Sequence, residues 1–265
     1  MTPRRDLEAE LNLDLVFVVG TAGSGKSHLV SAFSAWLIGQ RENVCTVNLD
    51  PGALALPYTP DINVRDYIRV EDLMEQHTIG PNGALVLASD MIADQIEEIR
   101  EELDTIDPDL ALVDTPGQLE LFAFRQSGKV IAESLPGEEK TSLYLFDSVF
   151  CRRPLNYVVS VFLSAAVSNM FLLPQIHVLT KVDLLKEADI QRALDWGSDP
   201  ETLEEAIEKQ LTESNRVMSQ GMLQAISDIG VEISLIPFST RTNQGFTDLY
   251  AELCRTMNEG ERFTP

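Results

Sequence analysis

Cysteine and histidine are scarce, three of each in 265 residues. Cys45, Cys151 and Cys254 stand far apart among apolar neighbours, which excludes a disulfide framework and points to reduced core thiols. His28, His77 and His177 are equally scattered, so a metal centre built from these side chains is not expected. Positive charge is scarce as well. Against 42 Asp plus Glu there are 20 Lys plus Arg, a formal charge of −22, which argues against broad attraction to nucleic acid or anionic lipid. Any phosphate must therefore be held by a local site. Most of the cations are arginine, and the acid excess reads either as an ordinary acidic cytoplasmic protein or as adaptation to high salt. Long hydrophobic runs are also missing. The stretch from Val158 to Leu173, interrupted by serines and Asn169, falls short of the roughly 18–20 residues that span a bilayer. Arg4 and Arg5 have no apolar signal core behind them, so a soluble, cytoplasmic protein is expected.

What is present begins with Gly20-Thr21-Ala22-Gly23-Ser24-Gly25-Lys26-Ser27, between the apolar run Leu15–Val19 and a segment of helical periodicity. In a strand, loop and helix context this spacing is a phosphate loop. Glycines let backbone N–H groups curl around a phosphate, and the helix start adds partial positive charge. Lys26 reaches the β- and γ-phosphates, and the Ser27 hydroxyl can ligate Mg²⁺. A second short strand ends in Asp50-Pro51-Gly52. A right-handed parallel crossover puts Asp50 at the same sheet edge as the phosphate loop, as a ligand-facing carboxylate or as a turn former.

Further strands are expected over Asp109–Val113, Ser142–Asp147, Gln175–Leu179 and Glu232–Pro237. Short helices are expected from Asp61 to Gln76. Helices are also expected over Ala84–Leu103, with Ile92, Ile96, Ile99 and Leu103 as a buried stripe, over Leu121–Leu135 and over Pro154–Leu173. Residues 186–229 read as charge-rich helix broken near Gly197-Ser198-Asp199-Pro200, and a last helix runs from Phe246 to Met257. Gly80-Pro81-Asn82-Gly83 reads by composition as a turn opening the helix over Ala84–Leu103.

Asp114-Thr115-Pro116-Gly117-Gln118 follows a core strand. Asp114 fits the Mg²⁺-holding position of phosphate-loop NTPases, and Gln118 stands where an amide can orient an attacking water. Thr180-Lys181-Val182-Asp183 follows the fifth strand. A carboxylate at Asp183 accepts hydrogen bonds from guanine N1 and its 2-amino group, donors that adenine lacks. Beyond the final strand, a backbone amide of Ser239-Thr240 can reach the guanine oxygen. There is no internal repeat, so one domain over residues 14–258 is expected, between a lead-in at 1–13 and a short end at 259–265.

With Gly80-Pro81-Asn82 lying between the first strands and Asp114–Gln118, the sequence resembles the GPN-loop GTPases from about Asp14 to Met257. The resemblance implies a three-layer α/β phosphate-loop NTPase fold of the signal-recognition and metal-insertion GTPase group, with a mostly parallel central sheet flanked by helices. It also implies GTP/GDP and Mg²⁺ as ligands. Gly20 to His28, Thr180, Lys181, Asp183, Ser239 and Thr240 would bind nucleotide, with Gly80 and Pro81 carrying the loop. Ser27, Asp50 and Asp114 would serve the metal, and Gln118, Asp50, Asp114 and Asn82 the chemistry. It implies a homodimer in which Asn82 acts in trans, and a protein client by analogy with relatives linked to RNA polymerase assembly. The short end resembles archaeal members. Neither nucleic acid nor membrane is expected as a partner.

Two positions depart from the pattern. Thr180 stands where Asn usually ties the base loop to the phosphate loop, and His28 where Thr is more usual, in a contact made through backbone N–H. Competing readings are a slow binding switch, a metallochaperone GTPase, which would need Cys/His ligands near the nucleotide, and a small-molecule kinase, which would not need Thr180–Asp183.

Overall fold

Strand β1 (Asp14–Gly20) divides the molecule into two cores. Its side chains alternate across the sheet, so Leu15, Phe17 and Val19 join one hydrophobic cluster while Val16 and Val18 join the other. In this computed structural model, residues 13–209, 221 and 233–257 are described. The lead-in short of Leu13, the end at 259–265 and almost all of the helical reading over 210–229 lie outside them.

The sheet is formed by β1, β2 (Val44–Asn48), β3 (Ile62–Asn63), β4 (Leu110–Asp114), β5 (Lys140–Asp147), β6 (Gln175–Thr180) and β7 (Leu235–Pro237). Their order is β3-β2-β4-β1-β5-β6-β7, and every neighbouring pair is parallel. Parallel strands need crossovers, and these place helices on both faces. On one face lie α1 (Lys26–Gly39) and α11 (Phe246–Met257), where Phe33, Phe238 and Phe246 pack together. The other face carries α2 (Val70–His77), α3 (Pro81–Met91), α4 (Ile96–Ile106), α5 (Leu119–Phe122) and α6 (Gln126–Ser134). It also carries α7 (Ser148–Cys151), α8 (Pro154–Phe171), α9 (Glu187–Ser198) and α10 (Pro200–Glu208).

The architecture is the expected three-layer α/β fold, with local differences. The single helix expected over 84–103 is two helices joined by a 3₁₀ turn at Ile92–Gln95. Ile92, Ile96, Ile99 and Leu103 stay buried across the break, so the stripe survives while α3 packs on α2 and α6 and α4 turns toward β3. The helix expected over 121–135 is likewise split between α5 and α6. There Gly128 sits so close to the backbone of Phe122 that a Cβ would lie 2.0 Å from its carbonyl oxygen. The segment read as short helices from Asp61 hides the two-residue strand β3. By length and composition α8 reaches the size of a membrane span, which the interrupted run in the sequence did not, yet Tyr157, Val158, Val161 and Val167 bind it into the core. The break near Gly197–Pro200 falls as expected, with Asp199 capping α10 through the amide of Glu201 at 3.0 Å.

Candidate functional site

Because all strands run the same way, their carboxyl ends gather Gly20, Asp50, Asp114, Asp147, Thr180 and Ser239 at one edge of the sheet. There a cleft of about 480 Å³ is lined by Gly23, Gly25, Lys26, Ser27, His28 and Asp50, and by Thr115, Gly117, Thr180, Lys181, Asp183 and Thr240 among others. Gln118 and Asn82 are not among its lining residues. Both side chains stand exposed, Gln118 as the N-cap of α5 and Asn82 in the first turn of α3.

The phosphate loop turns through left-handed backbone at Gly23 (φ +78°) and Gly25 (φ +103°), which only glycine adopts without strain. Lys26 is buried and lays its ammonium on the carbonyls of Gly20 (2.9 Å), Thr21 (3.3 Å) and Gly117 (3.2 Å), so one cation joins this loop to the segment after β4. Burial lowers its pKa, against the opposite pull of Asp114 and Asp50.

Asp50 is a turn former, and it also lines the cleft. One carboxylate oxygen accepts from the amide of Gly52 (2.9 Å), closing the turn, and the other accepts from the amide of Gly117 (3.0 Å). Asn48, fully buried, fixes that turn by accepting from the Asp50 amide (3.0 Å) while its own amide donates to Asn63 on β3 (2.9 Å).

Burial pushes the Asp114 carboxyl up to about 6, although a hydrogen bond from Ser27, the charge of Lys26 and a hydrogen bond from Tyr58 favour its ionised form. The Tyr58 hydroxyl donates to Asp114 Oδ2 at 3.1 Å, and burial beside that carboxylate raises the phenol well above its usual range. Sequence reading passed over Tyr58 because nothing marks a tyrosine in an irregular loop after Asp50. It passed over Arg65 for the same reason, and Arg65 donates to the carbonyl of Pro51 beside Asp50.

At the other end, Thr180 Oγ1 donates to the carbonyl of Ser24 (2.7 Å) and lies 3.2 Å from that of Phe146. The threonine thus makes the tie to the phosphate loop expected of an asparagine. Lys181, in left-handed backbone (φ +59°), reaches the Gly23 carbonyl and the carboxylate of Asp147 (2.6 Å). Asp183 accepts from Ser239 Oγ (2.7 Å), and Arg241 stands 3.9 Å away. Ser239's amide donates to the Gln244 carbonyl (3.1 Å), so its hydroxyl positions Asp183, and Thr240 is the member of the pair that lines the cleft. One end of the cleft therefore carries the phosphate loop with Lys26, and the other carries the Asp183 carboxylate.

A family model described as "Conserved hypothetical ATP binding protein" matches residues 18–259. The chain is 32% identical over 237 residues to the GPN-loop GTPase PAB0955 of Pyrococcus abyssi, covering 89% of this chain and 94% of that protein. It is 33% identical over 229 residues to the GPN-loop GTPase QQT1 of Arabidopsis thaliana, covering 84% and 76%. The apo crystal structure of the P. abyssi GTPase superposes with a TM-score of 0.80 at 30% identity, over 94% of this chain and 98% of that one.

Proposed function

Because the chain belongs to the GPN-loop GTPase family and is a GTP hydrolase, we propose that it works as a homodimeric nucleotide switch in which Asn82 of each subunit completes the site of the other. The observation that carries this reading is the position of Gly80-Pro81-Asn82. It opens α3, exposed, with Pro81 at the first helical turn and Asn82 outside the residues lining the subunit's own cleft. Among the described residues the arginine that lines the cleft is Arg241, which stands beside Asp183, so an exposed amide from a second copy supplies a donor for charge developing on the γ-phosphate. A two-fold interface makes the exchange reciprocal.

The family binds GTP and GDP, and the phosphate loop with Lys26 would hold the phosphates while Asp183 takes the guanine edge. Three hard oxygen donors, the Ser27 hydroxyl and the carboxylates of Asp114 and Asp50, fit Mg²⁺, which such sites hold with few protein ligands plus water and phosphate oxygens. When bound, the ion neutralises charge on the transferring phosphoryl group. Gln118, at the entrance to α5, orients the attacking water, and Asp50 fixes the Gly117 amide beside it. Hydrolysis changes what Gly117 and the loop after Asp50 can contact, which suits a switch serving assembly of a protein complex in the cytoplasm, without nucleic acid or membrane as partner.

The test is complementation. Asn82→Ala and Lys26→Ala subunits, each inactive alone, regain turnover as isolated heterodimers, because one of the two sites then has both parts. Heterodimers without turnover, or a monomer that hydrolyses GTP at the full rate, would end the trans role.

A further inference from the structure

Beside the nucleotide cleft, beyond Asp147, two hollows of about 720 and 330 Å³ share Arg152 and Arg192 and so form one trough. Arg153 lines the first hollow and Lys209 the second. These four cations are conspicuous in a chain of net charge −22. The carboxylates facing them are few. Asp189 alone pairs with both Arg152 (3.8 Å) and Arg192 (3.2 Å). Asp147 is engaged by Lys181, Glu205 by Lys209, and Asp195 accepts from the amide of Gln191. Arg153 has no carboxylate within ion-pair distance among the described residues. Arg152 and Arg192 are each about half exposed, at 56% and 51%. Among the described residues, then, Asp189 pairs with two of the three guanidinium groups at the trough and the third, Arg153, pairs with no carboxylate.

The trough is also apolar in places. Val149 and Phe150, on the short helix α7, are exposed at its rim, and the Asn156 amide donating to the Phe150 carbonyl (2.9 Å) fixes that turn. Trp196 and Pro154 form part of the second hollow, both buried. We propose that this trough docks an extended acidic segment of a partner protein, its carboxylates taken by Arg152, Arg153 and Arg192 and an apolar side chain seated against Phe150. Arginine suits this task because its planar fork meets a carboxylate with two parallel hydrogen bonds and is weakly hydrated. A protein segment fits better than nucleic acid. Four cations give a weak counterion-release drive, the surrounding surface repels a phosphate backbone, and the apolar rim has a counterpart in side chains.

The probe is a soluble fluorescein-labelled peptide in which glutamates flank a Leu-Phe pair, titrated with the intact protein and followed by anisotropy. Saturable binding in the micromolar range is expected, weakening as ionic strength rises. Binding should fall at least about 10-fold with Arg152→Glu plus Arg192→Glu, in line with the loss of charge-assisted pairs. Arg153→Glu, which breaks no ion pair among the described residues, should weaken it several-fold, with GTP turnover unchanged in each variant. A peptide with lysine in place of glutamate should not bind. The proposal is overturned if the acidic peptide shows no saturable binding, if Arg153→Glu binds it as well as the parent protein, or if single-stranded RNA of equal charge binds more tightly than the peptide.

Discussion

Asp147, the last residue of β5, holds the ammonium of Lys181 at 2.6 Å, and Lys181 in turn reaches the carbonyl of Gly23 in the phosphate loop. The second oxygen of Asp147 accepts from the amide of Val149 (2.9 Å) at the start of α7. One carboxylate thus aligns the cleft-lining lysine and anchors the helix next to it. Lys181 and Asp147 are only partly exposed, at 33% and 19%, so the pair should contribute more than a surface ion pair. Asp147→Asn is expected to raise the Kd for GDP by about 10-fold, with a coupling to Lys181→Met of about 1 kcal/mol in a double-mutant cycle. Additive losses in the cycle would show that Asp147 acts on the helix and not on the lysine.

Base choice is predicted to rest on Asp183. Its carboxylate is 13% exposed and already oriented by Ser239 Oγ at 2.7 Å. GTP should exceed ATP in affinity by about 10⁴-fold, the scale of discrimination when a buried polar group is left unpaired. Asp183→Asn should move the preference toward xanthosine nucleotides, because the amide then presents a donor. Competition titrations against a fluorescent guanine nucleotide measure both, and equal competition by ATP would refute the assignment.

For hydrolysis, Gln118→Ala should preserve GTP affinity and lower kcat by 10²-fold or so, the scale of a lost positioning group. Tyr58→Phe should act differently. Removing the donor 3.1 Å from Asp114 Oδ2 leaves that buried carboxylate with one fewer partner, so the Mg²⁺ dependence of turnover should shift while kcat at saturating metal changes little. Titrating Mg²⁺ at saturating GTP distinguishes the two variants.

His177 makes a prediction about acid stability. Burial lowers its pKa from 6.5 to about 4, and the neutral ring lies within hydrogen-bond distance of Ser164 Oγ (2.9 Å) and Gln175 Oε1 (3.1 Å) and packs edge-on against Phe146. Between those two pKa values the unfolded chain binds a proton that the folded one refuses. The stability contributed by the neutral ring is thus complete above pH 6.5 and is lost as pH falls toward 4. A shift of this size corresponds to roughly 3 kcal/mol. Urea unfolding of the parent and of His177→Gln at pH 7 and 4.5 should show the parent losing more stability than the variant, and parallel losses would contradict it.

The phosphate loop, Asp114 and Asp183 were legible in the sequence because each is tied to a strand end by short spacing, and parallel strands bring strand ends together. Thr180 was legible as a position but not as a substitute. Its hydroxyl reaches Ser24, distant in sequence, only once β6 lies two strands from β1. Tyr58, Arg65 and Asp147 carried no signal, since each acts through a partner supplied by another loop. The break at Ile92–Gln95 was hidden because buried positions spaced by four and three residues look the same whether the helix runs straight or passes through a tighter turn. β3 is two residues long, below any alternation that could announce it.

The one-way sheet has a practical corollary at its other edge. The turns there are stitched to one another, with Asp14 donating its amide to Asp109, Asn43 accepting from Asp109 and Leu110, and Glu139 donating to the Asp14 side chain. None of them faces the nucleotide, and seven residues of β1 separate the two edges by about 20 Å. A fluorophore at the exposed Glu138, or a tether to a surface there, would leave every loop that handles GTP unencumbered and turn that edge into a handle for watching the other one work.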